Sequence, residues 1–358
     1  MPPRFRVPLI AIDPATPISE RIAKLEKTLS HGDFLQAAHL AAISLTSPKL
    51  DPADAKTIAY LLAIRYSCLE LTGNTQLAAQ ESKALEDLNS DFYFSYPTGQ
   101  AASSPTAPPS AESSPLPVHI FPFSLRLQAA RLQSIGFSDS RRAVSALYDL
   151  GMECRQHIVA LQDDPDKCVV WERRLEELGV RVVNALIEVN DISCAARTLV
   201  SLPKPSDPTR VAQMVLLLIK IGDLSTAKEL LREFSDGNQM TYILSPVLAA
   251  GEGRYNDAVN QWERLWSQNE DSALRPVIQQ NLAVCYIYAG RLKDAIRLME
   301  AAVVRGETYG NLTFNLATAY ELSSERATDL KMSLAEQVAS REDSTMKGWA
   351  KLSADFKL

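Results

Sequence analysis

Apolar residues recur at three- and four-residue intervals through nearly every segment, as in Ile22, Leu25 and Leu29 or Leu61, Leu62, Tyr66 and Leu69. No stretch alternates strictly over the length of a strand, so the pattern predicts an all-α protein. Prolines interrupt it at 97–117 and at Pro203, Pro205 and Pro208, where a missing amide donor and a clash with the preceding turn end any helix. Residues 95–117 hold six prolines, six serines and a single charge, too little apolar surface to offset the entropy of ordering. The expected organisation is an extended arm over 1–17, a helical unit over 18–94, a flexible linker over 95–120 and a second helical block over 121–358.

The most informative feature is an internal repeat. A turn glycine is followed five residues later by alanine: Gly32 with Ala37, Gly73 with Ala78, Gly222 with Ala227, Gly253 with Ala258 and Gly290 with Ala295. Asn190 with Ala195 is a sixth copy, and the last four turns lie 32, 31 and 37 residues apart. Asn281-Leu282-Ala283 with Tyr286 returns as Asn315-Leu316-Ala317 with Tyr320, a shift of 34. That period is the length of a tetratricopeptide unit, two antiparallel helices joined by a tight turn. Glycine and asparagine enter the left-handed conformation cheaply, which suits the turn. Alanine lets the second helix approach the first, and bulk returns four residues on at Leu231, Trp262 and Met299. Ala41 and Ser82 stand at the bulky position in the two N-terminal copies. The predicted fold is therefore an α–α superhelix of tetratricopeptide type.

Such arrays bind partners on the concave surface lined by their first helices. Counting from the turns, that surface includes Ala212, Leu216 and Ile219, then Ile243 and Val247, then Val284, Ile287 and Tyr288, and then Phe314. These positions are apolar and carry no lysine–arginine constellation, so a clamp for a peptide carboxylate is disfavoured. An apolar helix or an intramolecular element is the expected occupant.

Charge and composition narrow the function classes. Lys plus Arg total 37 against 43 Asp plus Glu, a net charge of −6, which removes the basic footprint of a nucleic-acid binder. The longest apolar run, the eight residues 282–289, is far short of the roughly 20 residues that span a bilayer, so direct membrane insertion is not expected. Residues 1–17 carry five prolines and no apolar stretch, unlike a secretory signal, and a cytosolic location follows. Five cysteines without a CxxC spacing indicate neither a disulfide framework nor a zinc site. Cys154 and His157 could form half a metal site, but no second pair accompanies them. Gly251-Glu252-Gly253 lacks the third glycine of a dinucleotide loop. The four histidines are dispersed, and no nucleophile, base and orienting group can be assembled. No enzyme activity and no cofactor are expected.

One block is more specific than a generic repeat. The run 281–296, NLAVCYIYAGRLKDAI, followed by 314–322, FNLATAYEL, resembles the C-terminal repeats of the subunit 12 family of the trafficking protein particle (TRAPP) complex. Pro122-Phe123-Ser124-Leu125-Arg126, Trp171-Glu172-Arg173-Arg174-Leu175, Ile221-Gly222-Asp223-Leu224 and the closing Phe356-Lys357-Leu358 are similar too, so the resemblance covers roughly 120–358. Animal members carry a long low-complexity N-terminal region without a counterpart here, and a short, fungal-type form is expected. The resemblance implies a non-catalytic subunit of a vesicle-tethering assembly in ER-to-Golgi traffic and autophagy. Its partners would be other TRAPP subunits, especially the large arm subunits, with an indirect link to a Rab GTPase and peripheral association with ER–Golgi or Golgi membranes. The alternative is a tetratricopeptide adaptor of a different cytosolic assembly.

Overall fold

The computed structural model describes residues 11, 13, 15–95, 117–204, 207–234, 239–269, 273–306 and 309–339. Most of the expected 1–17 arm and residues 96–116 of the expected linker lie outside the described residues, as does the 356–358 motif. Sixteen α-helices occur among the described residues, and from the third onward they alternate as first and second members of antiparallel pairs. After α1 (Ile18–Ser30) and α2 (Phe34–Leu45), the pairs are α3 (Ala55–Leu71) with α4 (Thr75–Ser82), α5 (Phe123–Gly136) with α6 (Ser140–Ala160), and α7 (Pro165–Glu188) with α8 (Ile192–Ser201). They continue as α9 (Pro208–Ile221) with α10 (Leu224–Glu233), α11 (Gln239–Gly251) with α12 (Tyr255–Gln268), α13 (Arg275–Tyr288) with α14 (Leu292–Arg305), and α15 (Gly310–Ser323) with α16 (Ala327–Ala339). The fold is all-α, built of tetratricopeptide-like helix pairs. Two compact units are distinguished, residues 13–21 with 38–203, and residues 22–37 with those from Lys204 onward.

The turns work as the repeat requires. Gly32, Gly73, Gly222, Gly253 and Gly290 all have positive φ, as does Asn190 at 64°. At Gly222, with φ of 97°, an added Cβ would meet nothing within 4 Å, so it is the left-handed backbone and not crowding that requires glycine. The alanine five residues on is fully buried at Ala37, Ala78, Ala195, Ala227, Ala258 and Ala295. Trp262 and Met299 are fully buried four residues later, and so are Ala41 and Ser82 in the N-terminal copies. Where aspartate follows the turn, its carboxylate caps the second helix. Asp191 accepts from the Cys194 amide at 3.0 Å and Asp223 from the Thr226 amide at 3.1 Å, which lowers the pKa of both. In the Gly-Arg turns the cap is replaced by ion pairs, Arg254 with Glu252 and Asp257, and Arg291 with Asp294 and Glu263.

A further copy escapes the glycine rule. Ser138, at φ 56°, turns α5 into α6, with Ala143 and Leu147 buried at the expected positions. Gly136, two residues earlier, serves packing instead, because an added Cβ would overlap the Ala79 carbonyl on α4. That close approach sets α4 against α5 across the proline-rich segment. Gln133 fastens it by donating to the carbonyls of Ser82 and Glu86 at 3.2 and 2.7 Å. At the ends of the same segment, β1 (Phe94–Ser95) pairs antiparallel with β2 (Val118–His119), a short departure from the all-helical expectation. His119 holds this clip with both ring nitrogens, Nε2 donating to the Leu88 carbonyl at 3.0 Å and Nδ1 accepting from the Phe121 amide at 2.9 Å, and stacks on Tyr93. Arg126, almost fully buried, pairs with Glu153 of α6. Arg21 reaches the carbonyls of Thr16, Ile43 and Asp13 at 3.0, 3.2 and 3.3 Å.

In the C-terminal unit one apolar core runs from Ala249 to Val338, with Trp262, Leu282, Met299 and Leu316 inside it. The 34-residue echo has a structural cause there. Leu282 and Leu316 are both buried, while Tyr286 and Tyr320 each lay a hydroxyl on a glutamate of the preceding second helix. Tyr286 donates to Glu263 and Tyr320 to Glu300, at 2.8 and 2.9 Å. Burial, with the neighbouring carboxylate second, pushes the Tyr286 phenol up to about 12 and raises that of Tyr320 as well, so both tyrosines remain donors near neutrality.

Candidate protein-interaction surface

The first helices α9, α11, α13 and α15 lie side by side, each touching the next. Their buried positions face the second helices, and a half-buried apolar row remains on the other side. The structure separates the sequence-derived residues into two groups. Ile219, Ile243, Val247, Val284 and Ile287 are half-buried, and Ile243, Val247 and Ile287 rest against the core. Ala212 is buried. Leu216, Tyr288 and Phe314 stand out, exposed by 46%, 65% and 59%. Of the repeat positions, Gly222, Gly253 and Gly290 form the left-handed turns and Ala227, Ala258 and Ala295 are buried where the paired helices meet.

Tyr255, which the repeat pattern did not single out for this surface, stacks on Tyr288 with ring centroids 4.9 Å apart and planes 13° from parallel. It begins α12 directly after the Gly253 turn, so the aromatic following the glycine was its only signal in the sequence. The stack presents the Tyr288 ring as a fixed surface, since an offset aromatic pair favours one orientation. Tyr242 of α11 and Leu322 of α15 are also exposed apolar side chains, at 57% and 63%.

The chemistry elsewhere is structural. Cys154 is buried, with its thiol pushed up to about 11 by that burial. His157 stacks on Trp171 at 3.9 Å, and its pKa is lowered, chiefly by desolvation. Among the described residues no three His, Cys, Asp or Glu side chains gather as a metal site, and no helix is long and apolar enough to cross a membrane.

No protein-family model matches the chain. Over 251 residues, 62% of this chain, it is 27% identical to the mouse trafficking protein particle complex subunit 12, covering 31% of that protein. It is 26% identical over 251 residues to the human protein of the same name, covering 34% of it. These relatives support the TRAPP subunit 12 family. The chain spans about a third of the length of the curated relatives it matches. Among solved structures, a tetratricopeptide repeat protein from Parabacteroides merdae is similar over 94% of this chain and 98% of its own, with TM-score 0.37 and 11% identity. The tetratricopeptide domain of P58(IPK) aligns over 94% of this chain and 97% of its own, with TM-score 0.23 and 16% identity. The fold class rests on the helix pairs themselves.

Proposed function

We propose that the chain is a non-catalytic scaffold subunit of a TRAPP complex, using the apolar face of α9, α11, α13 and α15 to join large arm subunits to a Rab-activating core. In this reading it works in ER-to-Golgi traffic and autophagy, in the cytoplasm, and reaches Golgi membranes only through its partners. The similarity to subunit 12 supports membership in such an assembly. The observation that carries the scaffold role is the exposure of Leu216, Tyr288 and Phe314 on the first helices α9, α13 and α15. Burying a fully exposed side chain of this size contributes about 1.5–3 kcal/mol, and about half of that remains to be gained at each of these half-exposed positions.

The test is affinity purification of the tagged chain from its own cells with quantitative mass spectrometry. TRAPP core and large subunits should be recovered in near-stoichiometric amounts, and Phe314→Asp should lose the large subunits while the helical circular dichroism and melting midpoint stay unchanged. Recovery of a different assembly would leave an adaptor of another complex. Loss of helicity in Phe314→Asp would make Phe314 a core residue and defeat the surface assignment.

A further inference from the structure

A recess lies among α10, α11 and α12, formed by different side chains from the exposed apolar triad. It encloses about 490 Å³. Helix α11 packs against both α10 and α12, and all three contribute to the lining of the recess. Lys228 and Arg232 line it from α10, Arg254 from the turn before α12, and Arg264 from α12 itself. The spacing explains the convergence: 228 and 232 are one helical turn apart, and 254 and 264 fall within about 80° of one another at 100° per residue. The floor is apolar, with Leu231 and Leu248 nearly buried.

In a chain of net charge −6, a recess lined by four cations and no carboxylate is an inversion of the local field. Arg254 is held by Glu252 and Asp257, and Lys228 stands 3.9 Å from Glu252. Arg232 and Arg264 have no carboxylate within ion-pair distance among the described residues, and both side chains are exposed. Guanidinium presents a planar fork that matches a carboxylate. We infer that this recess binds an acidic peptide segment bearing a leucine or aromatic side chain. The carboxylates engage Arg232 and Arg264, and the apolar side chain descends to Leu231 and Leu248. A phosphorylated headgroup would satisfy the cations and leave the apolar floor without a partner, which is why a peptide is favoured over a membrane.

Fluorescence anisotropy on the full chain tests this. The probe is a labelled twelve-residue peptide with glutamates around a central Leu-Phe pair, set beside a twin with Ala-Ala at the centre and inositol hexakisphosphate as competitor. The Leu-Phe peptide should bind saturably and more tightly than its twin, and the double variant R232E/R264E should weaken it at least about tenfold, the effect of losing charge-assisted contacts, with the melting midpoint unchanged. If the double variant unfolds, the neutral R264Q should still weaken binding. Three results would overturn the inference: no saturable binding, equal binding of both peptides with displacement by the hexakisphosphate, or binding indifferent to the arginine variants. Because no variant touches Leu216, Tyr288 or Phe314, failure here leaves the scaffold reading standing.

Discussion

The first helices of the two units treat their free faces in opposite ways. Along α3, α5 and α7 the face is charged and encloses a recess of about 550 Å³. There Gln128 and Arg131 both donate to Glu70, at 2.6 and 2.9 Å, Arg181 pairs with Glu177 at 3.0 Å, and Arg174 lies over the rings of Trp171 and Phe123. Along α9, α11, α13 and α15 the corresponding face exposes Leu216, Tyr288 and Phe314. Polar groups can satisfy one another within the chain, each half-exposed pair contributing about 0–1 kcal/mol. Apolar side chains have no such internal outlet and gain only when something covers them. The same architecture thus lines one face with its own paired charges and leaves apolar side chains exposed on the other.

The largest effect expected concerns how the C-terminal unit is filled. Trp262→Ala should destabilise the protein by about 3–5 kcal/mol, since it empties a fully buried site between helices. Arg131→Ala, on the charged face and half-exposed, should cost under about 1 kcal/mol. Chemical denaturation of both variants measures the difference, and equal shifts would erase the contrast between a unit held by bulk and a face lined by compensated charge.

Smaller effects should separate two kinds of glycine. Gly136→Ala drives a methyl group into the Ala79 carbonyl and should cost about 1–3 kcal/mol through overpacking. Gly222→Asn, in open space at φ 97°, should cost only a few tenths to about 1 kcal/mol, because asparagine tolerates the left-handed region and Asn190 already occupies it at the equivalent turn. Thermal melts of the pair would show whether crowding or backbone conformation governs each site. A larger loss at Gly222 would reverse the assignment.

The same pair explains what could be read from the sequence. The helix pairs were legible wherever glycine or asparagine marked the turn, because left-handed backbone restricts the residue type. The α5–α6 turn was not, since serine carries no such mark and Gly136 lies two residues away as a decoy with a packing role. The Arg126–Glu153 pair joins residues 27 apart, and periodicity says nothing about which polar side chains meet across helices. A two-residue strand pair is too short for any alternation to register. For the candidate surface, spacing identified which helix face is apolar, while the division between exposed Leu216, Tyr288 and Phe314 and half-buried Ile243 or Ile287 depends on how far neighbouring helices overlap. The basic recess escaped for a related reason: its four cations come from two helices and a turn, and periodicity along one helix does not show which side chains of different elements converge.

The smallest effect should be one of pH, confined to the unit with the charged face. His119 joins β2 to the Leu88 carbonyl and lies half-buried against Tyr93 and Phe121, and its pKa is lowered, first by desolvation and then by the Arg126 charge. Burial thus favours the neutral imidazole in the folded state. Its contribution to stability is full above the ordinary histidine value of about 6.5 and is lost progressively as pH falls through the lower folded value. The melting midpoint should therefore fall between pH 7 and pH 5, and part of that fall should vanish in His119→Gln, which keeps a donor and an acceptor without titrating in this range. Hydrogen exchange at the Ile120 amide, bonded to the Tyr93 carbonyl at 2.8 Å, gives a local readout once corrected for the intrinsic pH dependence of exchange: a lower protection factor at pH 5 than at pH 7 in the parent chain and little change in the variant. Equal pH dependence in both would move the sensitivity to His157, stacked on Trp171 in the same unit with its pKa lowered by burial, and would leave the strand clip held by its backbone bonds alone.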